Sequence, residues 1–408
     1  MKIRINIKTI ILELLLIAIS ICALLFKNDE IVLIVTAIQV IYIIWKSKFS
    51  YLSVLCFIIN ICLIPEYIQY SGGNTWGLLS MGYVPIYYYE LAFCCYILNI
   101  IIIIIMSHTK ALENEKKFFL YQFDISSNMV TILCIMALLL TYLLMPNLSM
   151  FSSRRFSGYI SFEGWSCIPF FFIAVSVLSK KKKQLVYPIT VIVCLWYIIH
   201  GERVDVTGMI VYWMLFYFNS QKRDIKSIIK YILLGSFLII IMVIMGAVRD
   251  GTNLTINELM YRILVQPTVC DVTNVFNCAV DIVYKHNLFH GLTYFSYLIN
   301  IIPKLNDPYS FELLIRSKGY FSAGGGLFFS EAIANYGFVF CVGVVIFYLL
   351  LWSKVIKKCT KYRALVYMTL CLASFRTAWY GLNYPMVTII YFIPFVLILN
   401  NTLKKGSL

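Results

Sequence analysis

The sequence predicts an all-α polytopic membrane protein with about twelve transmembrane helices and one large extracytoplasmic loop between helices nine and ten. Three observations carry that reading: the composition, a succession of apolar runs, and the placement of lysine. Residues of the set AVILMFWYC fill 61% of 408 positions, charged residues only 13%, and the mean hydropathy is +0.84. Soluble domains hold roughly 45–50% apolar and about 25% charged residues. A water-facing fold cannot hide this much apolar surface, whereas a lipid-facing helical bundle can.

Apolar runs are centred on residues 9–26, 31–45, 49–64, 88–106, 128–145, 166–179, 185–199, 206–218, 231–247, 333–352, 364–380 and 386–400. Several fall short of the roughly 20 residues that a spanning helix needs, and flanking aromatic and polar residues are expected to extend them. The basic stretch Met1–Lys8 before Thr9–Phe26 has the look of a signal peptide. No small-residue cleavage site precedes Lys27–Glu30, and the next run begins at Ile31, so the segment reads as a retained first helix.

With the N-terminus placed in the cytoplasm and the runs alternating, every inner segment is basic. The inner set includes Lys2, Arg4 and Lys8, Lys46 and Lys48, Lys116 and Lys117, Lys180–Lys183, Lys226 and Lys230, Lys357 and Lys358, and Lys404 and Lys405. Both termini come out inside. The net charge of +15 then has a plain cause, loops facing anionic lipid, and nucleic acid is not needed to explain it. The expected organisation is residues 1–248 as helices one to nine with short loops, 249–331 as the large outer loop with amphipathic helices, and 332–408 as helices ten to twelve. No internal repeat or flexible linker interrupts it. Within the loop, Thr255-Ile-Asn-Glu258 reads as a capping box and Pro267 as a helix stop or kink. Asp271–Tyr284 carries an apolar i, i+3, i+4, i+7 pattern, as of a helix lying on the membrane surface or closing over the bundle.

The 13 cysteines do not form a framework. Most lie inside apolar runs as small hydrophobes. Cys270 and Cys278, if helical, stand roughly 12 Å apart, too far to bridge. No CxxC zinc spacing, HExxH, P-loop, GxGxxG or DxD pair occurs, so neither a metal nor a cofactor is expected.

Arginine is distributed differently from lysine. Arg154, Arg155, Arg203, Arg249, Arg262, Arg316 and Arg376 fall on the outer side, where only Lys27, Lys285, Lys304 and Lys318 accompany them. Arginine is a planar, permanently charged fork suited to phosphate and carboxylate. Interfacial snorkelling is the bland alternative for each one. Arg203 and Arg249 stand at helix ends and Arg376 lies within an apolar run, where charge is costly unless it serves a cavity. Among carboxylates, Glu331 follows Gly324-Gly-Gly326 and stands at a helix start, which suits either a general base or a dipole-favoured first-turn residue. Glu13 and Glu90 show no partner in the sequence, and His200, His286 and His290 have no ligand spacing.

Three local patterns resemble a known family. They are Gly201-Glu-Arg203 in a tight turn before an apolar helix, Ile302-Pro303 after a Tyr-rich segment, and Gly326-Leu-Phe-Phe-Ser-Glu331-Ala-Ile-Ala-Asn335-Tyr-Gly337. With the expected architecture, they are similar to Wzy-type polymerases of O-antigen and capsular repeat units. The resemblance implies a multi-pass protein of the bacterial inner membrane, with both termini cytoplasmic and the large loop periplasmic. It implies a metal-independent glycosyltransferase that joins undecaprenyl-diphosphate-linked oligosaccharide repeat units at the periplasmic face, in lipopolysaccharide or capsule biosynthesis. Implied partners are that lipid-linked glycan, the bilayer, and a chain-length regulator and flippase of the same pathway. Glu331 and Arg203 are the expected catalytic residues. Arg203, Arg249, Arg376, Arg154, Arg155 and Arg316 are the expected diphosphate ligands, replacing a metal as stabilisers of the leaving group. Trp76, Tyr87–Tyr89, Trp379 and Tyr380 are candidates for stacking on sugars, or else belong to the interfacial aromatic belt. A lipid-linked oligosaccharide flippase and an O-antigen ligase are the alternative readings.

Overall fold

The computed structural model of the chain describes residues 7–47, 50–119, 121–146, 163–179, 183–220, 240, 243–244, 247, 255–302, 305, 307–322 and 324–405. Among them every regular element is helical, and the chain is an all-α multi-pass membrane protein. The expected twelve spans are corrected. Seven helices among the described residues are long and apolar enough to cross a membrane: Asp29–Ser47, Tyr51–Tyr70, Tyr88–His108, Ser127–Leu144, Ile256–Tyr284, Ser330–Ile356 and Asn383–Asn401.

The difference has specific causes. The first, sixth and seventh runs form shorter apolar helices, Thr9–Leu25, Ile168–Leu178 and Gln184–Ile199. The run 206–218 lies in Arg203–Ser220, whose first turn carries Arg203 and Asp205. The run 364–380 breaks at Ala373 into Lys361–Leu372 and Ser374–Tyr380. Most of 231–247 lies outside the described residues. The expected large loop between a ninth and a tenth helix is not found either, because its first part, Ile256–Tyr284, is itself one of the seven long apolar segments. Thr255 does cap that segment, accepting from Glu258 N at 3.2 Å, and Pro267 opens its second helix, Pro267–Tyr284. That helix buries Val272, Val275, Phe276, Ala279 and Val280 in the main core instead of lying on a surface. A pattern of period 3.6 identifies an apolar face but not what covers it.

Polar caps punctuate the bundle. Ser50 and Ser53 form a reciprocal capping box at Tyr51–Asn60, and Ser126 and Thr360 cap Ser127–Leu144 and Lys361–Leu372. The first helices stand at the rim, with Ile11, Leu15, Ile19, Ile34 and Ile41 exposed as a lipid-facing surface. Their inner faces join a buried neutral network. Gln39 donates to Ser20 at 2.8 Å, Asn99 donates to Gln39 at 3.0 Å and to Asn60 at 2.9 Å, and Asn60 donates back to Asn99 at 2.9 Å. Such side-chain bonds hold helices together where lipid offers no hydrophobic contrast. Glu13 and Glu90 have partners after all: His108 stands 2.8 Å from Glu13, and Tyr284 donates to Glu90 at 2.7 Å. All 13 cysteines are free.

Two glycines position the functional end. A Cβ on Gly208 would stand 1.9 Å from the Leu372 carbonyl oxygen, so only glycine lets Arg203–Ser220 meet the chain just before the break at Ala373. Gly337 sits at φ +79° inside Ser330–Ile356 and interrupts it. The carbonyls of Ala334 and Asn335 beside that interruption accept from the backbone N–H groups of Phe289 and His290. Asn335 seals the junction. Its Oδ1 accepts from Gly291 N, and its Nδ2 donates to Thr293 Oγ1 and to the Glu331 carbonyl, each at 2.7 Å.

Candidate active site

Glu331 lies in the first turn of Ser330–Ile356 and lines a cleft of about 300 Å³. The cleft walls come from four places: Tyr294 and Tyr297 of Thr293–Ile299, Asp307 to Glu312, Gly325 to Phe328, and Tyr380 to Tyr384. The Tyr297 hydroxyl donates to Glu331 Oε2. Burial, then the Glu331 carboxylate, push the Tyr297 phenol well above its ordinary value, so it serves Glu331 as a donor. Gly381, at φ +87°, adopts a backbone that a side chain would strain, and lies against that pairing, where a Cβ would press on the Tyr297 hydroxyl at 3.2 Å.

The glycine run before Glu331 has a different use from the one expected. At Gly325, with φ +75°, a Cβ would meet the Tyr380 ring at 2.3 Å and the Trp379 carbonyl at 2.8 Å. Gly326 N and Phe328 N donate to the Trp379 and Ala378 carbonyls at 2.8 and 2.7 Å. The glycines therefore bring two wall segments of the cleft into backbone contact.

Arg376 lies directly behind that wall. It is buried, and its guanidinium binds Asp205 bidentately, Nε to Oδ1 at 3.0 Å and Nη2 to Oδ2 at 2.7 Å, with Nη2 also 2.6 Å from Glu202 Oε2. Its Cζ stands 5.0 and 4.6 Å from the ring centres of Tyr380 and Tyr384, both of which line the cleft. Cys167 Sγ completes the shell, donating to Asp205 Oδ1 at 3.4 Å. The turn at Gly201, φ +81°, ends Lys183–Ile199 and starts Arg203–Ser220 within three residues, which is how Glu202 and Asp205 reach the same guanidinium. Two buried carboxylates and one cation are an arrangement that survives only when each charge is paired and hydrogen-bonded.

The expected site residues distribute as follows. Glu331 and Arg376 stand on opposite sides of the Tyr380–Tyr384 wall. Arg203 opens the helix that carries Asp205 and is half-buried. Arg316 is exposed at the rim, donating to Ser322 O at 2.7 Å and to Glu312 Oε1 at 2.5 Å, and Glu312 lines the cleft. Arg262 is buried away from it, over the Trp76 ring at 4.2 Å. Arg249, Arg154 and Arg155 lie outside the described residues. Among the described residues, no lysine or arginine lines the cleft. Of the aromatic candidates, Tyr380 lines it, whereas Trp379 is buried beside it.

Sequence reasoning missed Tyr294, Tyr297, Asp307 and Tyr384. The i, i+3 spacing of Tyr294 and Tyr297 within the Tyr-rich segment was the available signal, since it places both rings on one helix face. Nothing local marks Asp307 or Tyr384. No protein-family model, curated protein or solved structure matches this chain.

Proposed function

We propose that this membrane protein is a glycosyltransferase that polymerises lipid-diphosphate-linked oligosaccharide repeat units, with Glu331 as its general base. The observation that carries the reading is a cleft walled by tyrosines in which one carboxylate is oriented by a phenol donor. Tyrosine faces suit sugar rings, and a positioned carboxylate suits a hydroxyl that must lose its proton. In the proposed step, Glu331 takes the proton of an acceptor hydroxyl as that oxygen bonds the donor's anomeric carbon. The bond from that carbon to the lipid diphosphate breaks, and the diphosphate leaves with the electron pair.

The leaving group develops negative charge, which fixed arginines stabilise in a dry site. Arg203, Arg316, Arg249, Arg154 and Arg155 are proposed for that task. Arg376 directs three of a guanidinium's five N–H donors to Asp205 and Glu202, and enters the proposal as the residue that holds Tyr380 and Tyr384 in place. In this reading the cleft faces the periplasm of a bacterial inner membrane, where the growing chain has room.

A carrier of the same lipid-linked substrate is the second reading. It is favoured by Glu66, a wholly buried carboxylate that is not among the residues lining the cleft. Such groups line transport pathways. Deleting the gene separates these readings through the polysaccharide ladder. Single repeat units on the final acceptor are expected for a polymerase. Complete absence of the glycan on that acceptor would overturn the proposal in favour of a flippase or a ligase.

A further inference from the structure

Glu66 lies in Leu63–Tyr70, the second half of the span Tyr51–Tyr70, and has no exposed surface. Neither of its carboxyl oxygens has a hydrogen-bond partner among the described residues. The side chain of Asn277, from Pro267–Tyr284, stands close beside it but without a hydrogen bond of normal geometry, and the Asn277 Nδ2 is likewise buried. An unpartnered carboxylate anion is costly away from water, whereas a neutral carboxylic acid is far cheaper to keep there. Among the described residues, the titratable groups that act on Glu66 include no cation. They are Cys62 on its own segment, Glu90 on Tyr88–His108, and Cys270 beside Asn277 on Pro267–Tyr284. Asp29, at the end of the packed Asp29–Ser47 helix, is taken up by the Tyr89 hydroxyl.

One face of Pro267–Tyr284 connects this carboxyl to the surface. Asn277 Oδ1 accepts from Tyr87 N at 3.1 Å, and the Tyr87 hydroxyl donates to Asp281 Oδ1 at 2.9 Å. Asp281 Oδ2 accepts from Tyr320 at 2.6 Å and from Lys285, whose ammonium is 2.6 Å away on a side chain 59% exposed. Asn277 and Asp281 are four residues apart, hence on one helix face. A buried acid thus lies under a polar stripe that ends in water. We propose that Glu66 is an intramembrane proton-binding site, a function separate from the Glu331 cleft, whose proton exchanges with the aqueous phase along the Asn277–Asp281 face. The balance is simple: the carboxylate takes H⁺ from water and returns it, with no other bond changed.

The test is pH-difference infrared spectroscopy of the full chain in lipid nanodiscs. The wild type should gain a carboxylic C=O band on acidification, and Glu66→Gln should lose that band. Glu66→Asp should shift it, and Asp281→Asn should slow its shift on transfer to deuterium oxide. Superimposable spectra for wild type and Glu66→Gln would overturn the proposal. Should Glu66→Gln fail to fold, a membrane-permeant carbodiimide applied to the wild type reads the same group by mass spectrometry. An adduct at Glu66 that falls as pH rises supports the site; adducts at other carboxyls with none at Glu66 at any pH reject it. Neither readout depends on polymer formation, so this inference and the polymerase reading fail independently.

Discussion

Two regions of the molecule bury polarity in opposite ways. In the first, Ser20, Gln39, Asn60 and Asn99 form a closed amide and hydroxyl network with no formal charge, fully enclosed by four helices. In the second, Glu202, Asp205 and Arg376 form a charged cluster that leans on the wall of an open cleft holding Glu331. A neutral network satisfies itself and ties helices together. A charged one is costly to keep in a membrane and is retained where it shapes or serves a cavity.

The largest effect expected under the proposed function lies in the cleft. Glu331→Gln keeps the size of the side chain and its bond from Tyr297 but cannot accept a proton. Transfer from lipid-linked repeat units, measured with purified protein, should slow roughly 10²–10⁴-fold while the unfolding midpoint stays put. Near-normal polymer would reduce Glu331 to a first-turn residue and blur the contrast between the regions.

Arg376→Ala removes the guanidinium that the buried Glu202 and Asp205 share and should cost about 3–5 kcal/mol of stability. Thermal unfolding in detergent reads it. Adding Glu202→Gln and Asp205→Asn should recover part of the loss, because the buried negative charge that Arg376 offset is then gone. Among variants that still fold, Arg376→Lys should raise KM more than it lowers kcat, since it loosens Tyr380 and Tyr384 without touching the reacting atoms.

A further buried carboxyl, outside both regions, gives a pH signature. Glu115 of Ala111–Phe119 accepts from Tyr51 N at 2.7 Å and from the Tyr367 hydroxyl. Burial pushes its carboxyl up to about 7, against those two bonds, which favour the anion. The folded state therefore holds the proton more tightly than the unfolded chain. Its stabilising effect is complete below the ordinary value of 4.5 and is lost as pH rises through about 7. The unfolding midpoint should fall across that window, and Glu115→Gln should flatten the fall.

Gly208→Ala places a methyl group 1.9 Å from the Leu372 carbonyl oxygen and forces two helices apart. Overpacking of this kind costs about 1–3 kcal/mol. It should also lower transfer by displacing Asp205 from Arg376. The smallest effect is expected in the neutral network. Asn99→Ala should cost on the order of 1 kcal/mol, as membrane hydrogen bonds do, with no change in transfer rate. A large loss of activity there would mean that the two regions do not divide the work as proposed.

Several features of the site are legible in the amino-acid order alone. Glu331 stands out through its glycines, and Arg376 through its charge inside an apolar run. The Gly201–Asp205 turn stands out because it is short and polar between long greasy segments. The use of the glycines is not legible: Gly325 and Gly326 admit Tyr380 and the backbone of Trp379 and Ala378, contacts between distant positions. Nor is the commitment of Arg376, because its carboxylate partner Asp205 lies 171 positions away. The span count fails where apolar runs are short or broken, as at Ala373, and where a segment with a polar stripe, 256–284, is buried in the bundle.

Membrane class, all-α character and the short roll of charged residues from which a site can be built are already set by the chain itself. These follow from sums along the chain: apolar content, run length, and the cost of each charge in lipid. Folding alone settles how many helices are long enough to span, which tyrosines wall the cleft, and that Arg376 answers to Glu202 and Asp205 while Glu66 is wholly buried. Those outcomes depend on close approaches such as Gly208 against Leu372, in which a single methyl group would change which helices meet. Composition and periodicity carry no record of such distances.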